Sequence, residues 1–434
     1  MRKGEERDLS RSGLKVSWLS GAQFYGWLAI GVISLGWGFV TALKPGQSQD
    51  LSIVNTWLRT WLWQGTSPYS LPEIVVGNYP PHAMVALSPL ALVPESYVAA
   101  LWAVLNLMIA PLVGYLAYRA LKPEATRREA WLPVAMFLAW AGLRTGIANG
   151  QFTLLILGLS LLAFLCEEKR SWLGGFFLAL ALMKPHIGGA VLLWALFTKR
   201  WKMVLVAGMW MGLGLALFSL RLGESPVESV RAYLGVIQHQ FGRGADAQGS
   251  MALRLVELRP LVALFIHQET WASRIQQLML ILLLGCTLMV ALMKSSLSRH
   301  ERDRAVLQLC CLWLLMSVFH NPYDTILLLP VLVGLWAASV PHPAGSGRRT
   351  EQALMWVLQL AMVIELPAVW WKLSKTIDVA AYGWAGVILS NFDRLLVLGL
   401  FVYILNRVRL YGAAGRVRSL GAGEMVAQPS TPNS

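Results

Sequence analysis

Five short polar clusters interrupt an otherwise apolar chain. They are Asp50; Asn78-Tyr79-Pro80-Pro81-His82; Arg144 with Asn149-Gly150-Gln151; Lys184-Pro185-His186; and His320-Asn321-Pro322-Tyr323-Asp324. A carboxylate such as Asp50 can take a proton from an acceptor hydroxyl. Arg144, Lys184 and the histidines His186 and His320 can hold a phosphate and offset its charge as it leaves. Such a set suits transfer of a group from a lipid-linked phosphate. A phosphate leaving group needs charge neutralisation more than it needs a general acid. No HExxH, P-loop or GxGxxG fingerprint offers a zinc or soluble-nucleotide alternative.

Each cluster also has a plain reading. Asp50 could be only a helix N-cap, where Asp is favoured. Asn-Tyr-Pro-Pro could be only a rigid turn, because Pro fixes φ and restricts its neighbour. Lys184 and Arg144 could snorkel to headgroups. His320 could be a satisfied buried histidine, and Asp324 a cap for the following helix. What lifts the five above these readings is that one topology puts all of them on one face.

That topology follows from composition. The chain has 434 residues, of which 56% are hydrophobic and 14% charged. A globular chain carries roughly 45–50% apolar and about 25% charged residues. A soluble enzyme, a disordered chain and a disulfide-stapled secreted domain are therefore excluded. The fold class is an all-α polytopic integral membrane protein. A spanning helix needs about 20 mostly apolar residues. Twelve segments qualify or nearly so: 24–43, 97–118, 131–147, 152–166, 172–183, 186–198, 203–221, 275–293, 305–319, 325–340, 353–371 and 386–407. We expect about twelve spans.

Short cytoplasmic loops are enriched in Lys and Arg. With the N-terminus inside, 24 of the 37 Lys and Arg fall in the inner tails and turns. Topology thus explains the +14 net charge, and nucleic acid is not an expected partner. Both termini are expected in the cytoplasm, and all five polar clusters outside. Residues 1–17 read as a cytoplasmic tail, 18–409 as the membrane domain, and 410–434 as a disordered cytoplasmic tail. Residues 44–96 and 222–274 read as long outer loops. In the first, Leu51, Val54, Trp57, Leu58, Trp61 and Leu62 make one apolar helical face, expected to lie flat on the outer leaflet. Arg231, His239, Arg243 and Arg254 in the second suit a partner surface or a lid over an acceptor groove. Cys166, Cys286, Cys310 and Cys311 all lie in apolar segments, so no disulfide framework or zinc spacing is visible.

With these residues in hand, the chain resembles glycosyltransferase family 87, over about residues 45–340. The resemblance rests on four stretches: Asp50-Leu51-Ser52 through Gly65-Thr66-Ser67-Pro68-Tyr69; Asn78-Tyr79-Pro80-Pro81 followed by Leu87-Ser88-Pro89-Leu90; Asn149-Gly150-Gln151 leading to Lys184-Pro185; and His320 to Asp324 before Leu327-Leu328-Leu329-Pro330. It implies a GT-C-like helical bundle with an extracytoplasmic active site. The implied donor is a polyprenyl-phosphate sugar, mannose-like or arabinofuranose, and the implied acceptor an envelope lipid or glycan. It implies Asp50 as general base, inversion at the sugar carbon, no cofactor and no obligatory metal. Asn78, Tyr79, Arg144, Gln151, Lys184, His186, His320, Tyr323 and Asp324 are the expected substrate-binding residues. The expected location is a bacterial inner membrane. Two other readings remain open on the sequence. One is a transporter or lipid-linked-sugar flippase, although such sites usually lie at the bilayer midplane between repeats. The other is a non-catalytic scaffold for envelope assembly.

Overall fold

The computed structural model describes residues 2–72, 77–122, 127–244, 258–266, 268–293, 297–317, 321–339, 347–364, 388 and 391–424. The side chains of residues 2–20, 127–128, 240–244, 260, 269, 347–348 and 411–424 fall outside that description. All regular structure among these residues is helical. In chain order the helices are α1 (Arg2–Ala42), α2 (Gln49–Arg59), α3 (Pro81–Leu87), α4 (Glu95–Leu121), α5 (Arg127–Leu138), α6 (Ala141–Ala148), α7 (Thr153–Glu167), α8 (Ser171–Ala181) and α9 (Pro185–Phe197). They continue with α10 (Trp201–Leu222), α11 (Pro226–Gly244), α12 (Arg259–Ala263), α13 (Glu269–Leu292), α14 (Arg299–Ser317), a 3-10 turn (Pro322–Leu328), α15 (Leu329–Ser339), α16 (Gly347–Ile364) and α17 (Phe392–Glu424).

Among the described residues, five stretches are long and apolar enough to cross a membrane: Gly21–Ala42, Glu95–Leu121, Trp201–Leu222, Thr270–Leu292 and Pro322–Ser339. The protein is thus a multi-pass membrane protein. Every one of the twelve apolar segments meets a helix, but several helices are short. At about 1.5 Å per residue, α8 with 11 residues and α9 with 13 reach only part-way across a hydrocarbon core of about 30 Å. The expected span 131–147 is not one straight helix. It is a pair, Glu129–Leu138 and Ala141–Ala148, bent by 58°. A side chain from far along the sequence sits at the bend. Gln359 of α16, fully buried, donates its amide to the Met136 carbonyl at 2.9 Å and accepts from the Trp140 indole at 2.8 Å. The Met136 carbonyl also accepts the Ala139 N–H at 3.3 Å, so the ladder tightens to i→i+3 bonds here, where the two helices part.

Two further expectations change. The apolar stripe of α2 is real, but it faces the protein: Leu51, Val54, Trp57 and Leu58 are buried against the rest of the chain. Burying them on protein removes the same apolar area from water that a leaflet would. The helix α17 continues past residue 410 to Glu424, through the first part of the stretch expected to be a disordered tail. Residues 425–434 lie outside the described residues. The loop expected over 222–274 contains α11 and α12, and its 245–257 stretch lies outside the described residues.

Short helices pack closely because small residues let backbones approach. A methyl on Gly175 of α8 would sit 2.6 Å from Val206 and 2.7 Å from the Met203 carbonyl of α10. The helix α9 packs on both α7 and α14. At one end they are tied by Arg200, which meets Glu167 at 2.7 Å and Asp303 at 2.7 Å and stacks over Trp194 at 5.6 Å. At their other ends stand Thr153, Lys184 and the Asn321–Asp324 turn. The ion cluster thus anchors the same three helices whose opposite ends carry the candidate residues.

Candidate active site

The site starts from the docking of α2. Ser48 precedes it in the left-handed region, with φ of 56°. Its N–H donates to the Ala148 carbonyl at 3.2 Å, and its hydroxyl donates to the Ala42 carbonyl at 3.0 Å. Gly150, at φ of +69°, closes the turn after α6. A Cβ there would lie 2.5 Å from Leu51 Cβ, so only glycine lets α2 settle on this turn. We expect Gly150→Ala to cost roughly 2–4 kcal/mol, from left-handed strain plus overpacking. The check is the thermal unfolding midpoint in detergent, which should fall by several degrees.

This docking sets Asp50, in the first turn of α2, against Gln151. The Gln151 side-chain amide donates to Asp50 Oδ2 in a short contact. The Gln151 carbonyl oxygen accepts from Lys184 Nζ at 3.0 Å. Lys184 is 4% exposed and also donates to Thr153 Oγ1 at 2.5 Å and to Asp324 Oδ1 at 3.0 Å. An ammonium has three N–H groups, and here all three are spent on protein. The Thr153 hydroxyl passes its own hydrogen to Asp324 Oδ1 at 2.9 Å. Asp324 Oδ2 accepts the Asn321 N–H at 3.3 Å and faces His186 Nε2 at 3.6 Å. The Tyr323 ring lies 5.0 Å from the ammonium, within cation–π range, and its hydroxyl accepts from Asn321 Nδ2 at 2.7 Å.

A continuous chain therefore runs from Asp50 through Gln151, Lys184 and Thr153 to Asp324 and His186. Asp324 is 1% exposed, while His186 is half-buried at the open edge. The helices α7 and α9 both begin here, at Thr153 and Pro185. Their N-termini supply partial positive charge that favours ionised carboxylates. Burial pushes the Asp50 carboxyl above its ordinary range; the Gln151 hydrogen bond and the Lys184 charge oppose this, and the Asp324 charge adds to it.

Tyr79 is buried beside the chain. Its ring meets Trp57 at 5.5 Å and Phe152 at 6.1 Å, both edge-on, and its carbonyl accepts the Tyr69 hydroxyl at 2.8 Å. Burial raises its phenol pKa, and the charges of Asp50 and Asp324 add to the rise, so the phenol stays neutral. Asn78 is exposed next to it. His82, in the same motif, turns the other way: its Nε2 meets the Ala179 carbonyl at 3.2 Å, and it packs on Gly214.

Of the expected site residues, Asp50, Gln151, Lys184, His186, Tyr323 and Asp324 converge, with Tyr79 adjacent. Arg144 does not join them. It lies half-buried, with its side chain against Gly38 of α1, while Gly142 and Gly146 face the 3-10 turn that carries Tyr323. Helix phase separates the two faces. His320 lies outside the described residues. Among the described residues, no three His, Cys, Asp or Glu side chains gather as a metal site would require.

Sequence reading did not single out Thr153, the hinge of the chain. Its signal was a hydroxyl two residues after Gln151, at the start of an apolar helix. Trp102, whose indole donates to the Gln151 backbone carbonyl at 3.2 Å, carried no local signal. Asn106, whose amide donates to the Trp102 carbonyl at 2.9 Å, stood out only as a polar residue inside a long apolar helix.

Compared with known proteins, residues 78–320 match a sequence model described as glycosyltransferase family 87. That stretch covers more than half of the 434 residues. No curated protein and no solved structure matches the chain.

Proposed function

The chain belongs to glycosyltransferase family 87, and from that premise we propose a membrane enzyme that takes its sugar from a polyprenyl-phosphate carrier. The sugar, hexose or pentose with mannose-like favoured, passes to an envelope lipid or glycan at the extracytoplasmic face. Asp50 is the general base. The observation that carries this reading is the Asp50–Gln151 contact at the end of a buried, internally charge-paired chain.

In this mechanism Asp50 Oδ1, the oxygen not facing Gln151, takes the proton of the acceptor hydroxyl. The acceptor oxygen bonds to the anomeric carbon while the carbon–oxygen bond to the carrier phosphate breaks. Displacement from the far side inverts the sugar carbon. The carrier phosphate leaves as an anion and no metal takes part. Lys184 is spent on Gln151, Thr153 and Asp324, so its charge acts through the chain. Among the described residues, His186 at the open edge and the N-termini of α7 and α9 can meet phosphate charge. The outer placement is supported by Arg200, Glu167 and Asp303, which cluster at the opposite helix ends, where the basic turns lie. The plasma membrane of a bacterium, with both termini inside, fits the same assignment.

The test is the purified protein in nanodiscs, supplied with a panel of polyprenyl-phosphate sugars and a membrane extract as acceptor source. Loss of sugar from one carrier, with matching product, is expected. Consumption of no donor by folded protein would sink the proposal and send the work to flux assays in sealed vesicles.

A further inference from the structure

The most specific contact around Asp50 is made by a neutral side chain. Gln151 is 6% exposed, and both ends of its amide are used. Which end faces which partner is decided by chemistry. Lys184 has donors only, so the Gln151 oxygen must face it. The nitrogen must then face Asp50, and Asp50 Oδ2 must accept. Lys184 cannot turn away, because Thr153 and Asp324 hold its other two N–H groups at 2.5 and 3.0 Å. The Gln151 backbone is fixed as well. Its N–H bonds the Gly146 carbonyl at 2.8 Å and its carbonyl accepts the Trp102 indole.

We propose that Gln151 is a positioning residue for the base: locked by Lys184, its amide N–H holds Asp50 Oδ2 and leaves Oδ1 aimed at the acceptor hydroxyl. The inference rests on Asp50 being the base, as proposed above, and adds how that base is kept ionised and oriented. An amide donor favours the carboxylate over the acid without adding a charge. A lysine in the same place would favour it more strongly and weaken its basicity further. Among the described residues, the groups that face Asp50 are few. Gln151 comes from the turn before α7, Lys184 from the start of α9, Tyr323 and Asp324 from the 3-10 turn, and Tyr79 from the loop before α3. Of these only Gln151 bonds it directly in the contacts above.

Two variants test this. Gln151→Met keeps length and removes both polar ends. Gln151→Glu keeps an acceptor for Lys184 and puts a carboxylate where the donor was. Each is measured in nanodiscs for kcat and donor KM between acid and neutral pH. The carboxyl C=O infrared band of Asp50 is titrated in parallel, isolated by subtracting the Asp50→Asn spectrum. Both variants should move the acid limb of kcat upward by about one unit or more, Gln151→Glu further than Gln151→Met. At neutral pH kcat should fall about tenfold to a hundredfold, the usual effect of removing the partner that orients a reacting group. Donor KM should change little, because the amide acts on the base and not on the carrier. The infrared midpoint should move with the kinetic limb. Should Gln151→Met not be recovered folded, the Gln151→Glu comparison carries the result. An infrared midpoint the same in wild type and variant overturns the inference, as does a loss expressed only in donor KM. If wild type transfers no sugar from any donor yet the infrared midpoints shift as described, the glycosyltransfer assignment fails and only the hold of Gln151 on the Asp50 carboxylate stands.

Discussion

Asp50→Asn is expected to lower sugar transfer by about 10²–10⁴-fold while leaving the protein folded. The substitution keeps shape and removes only the ability to hold the acceptor proton. The Gln151 amide would still find an oxygen at position 50, so α2 should stay docked on the turn at Gly150. Stability should be unchanged or slightly raised. Burial disfavours the ionised Asp50 carboxylate, and a neutral amide escapes that cost. A site residue whose removal improves stability is the usual mark of a group kept for function. Paired assays of transfer rate and thermal midpoint, on the same nanodisc preparation, give the answer. Transfer at the wild-type rate in Asp50→Asn would remove Asp50 as the base.

The second large effect is on folding. Lys184→Met leaves Asp324 as a charge that is 1% exposed and has lost its nearest cation. Breaking a buried ion pair from one side costs about 3–5 kcal/mol. The single variant should therefore be recovered in low yield, with a thermal midpoint many degrees below wild type. The double variant Lys184→Met with Asp324→Asn should regain most of that loss, because neither charge is left alone. Its transfer rate should stay low, since Gln151 then has no donor to set its amide. A double-mutant cycle on stability reads the coupling directly. Equal, additive losses from the two substitutions would show that the 3.0 Å contact contributes nothing to the fold.

How the site was legible can be followed residue by residue. Asp50, Gln151, Lys184, His186, Tyr323 and Asp324 all stood out because polar groups are costly among apolar segments, so each had to have a reason to be there. The order of their partners was not legible. Gln151 and Asp50 are 101 residues apart, and Lys184 and Asp324 140 apart. Sequence reading made Lys184 a candidate phosphate ligand, on its charge and on the resemblance. Its three bonds to protein show a cation already neutralised, a fact about neighbours and not about lysine. Arg144 was grouped with Gln151 because they are close in sequence. Helix phase turned it toward α1.

What the sequence determined by itself is the class of molecule. Apolar content and helix-length apolar runs suffice for a multi-pass helical membrane protein, because transfer free energy is summed over composition and needs no partner. It also determined which residues were candidates, since a polar side chain is costly in lipid whatever the fold. Tertiary structure decided the rest. The break after Leu138 is bridged by Gln359, 223 residues beyond the Met136 carbonyl it bonds. The stripe on α2 reads the same whether it meets lipid or protein, because apolar burial is non-directional. Hydrogen bonds and ion pairs are directional and short-ranged, so which oxygen of Asp50 is held, and by what, exists only once the helices have met.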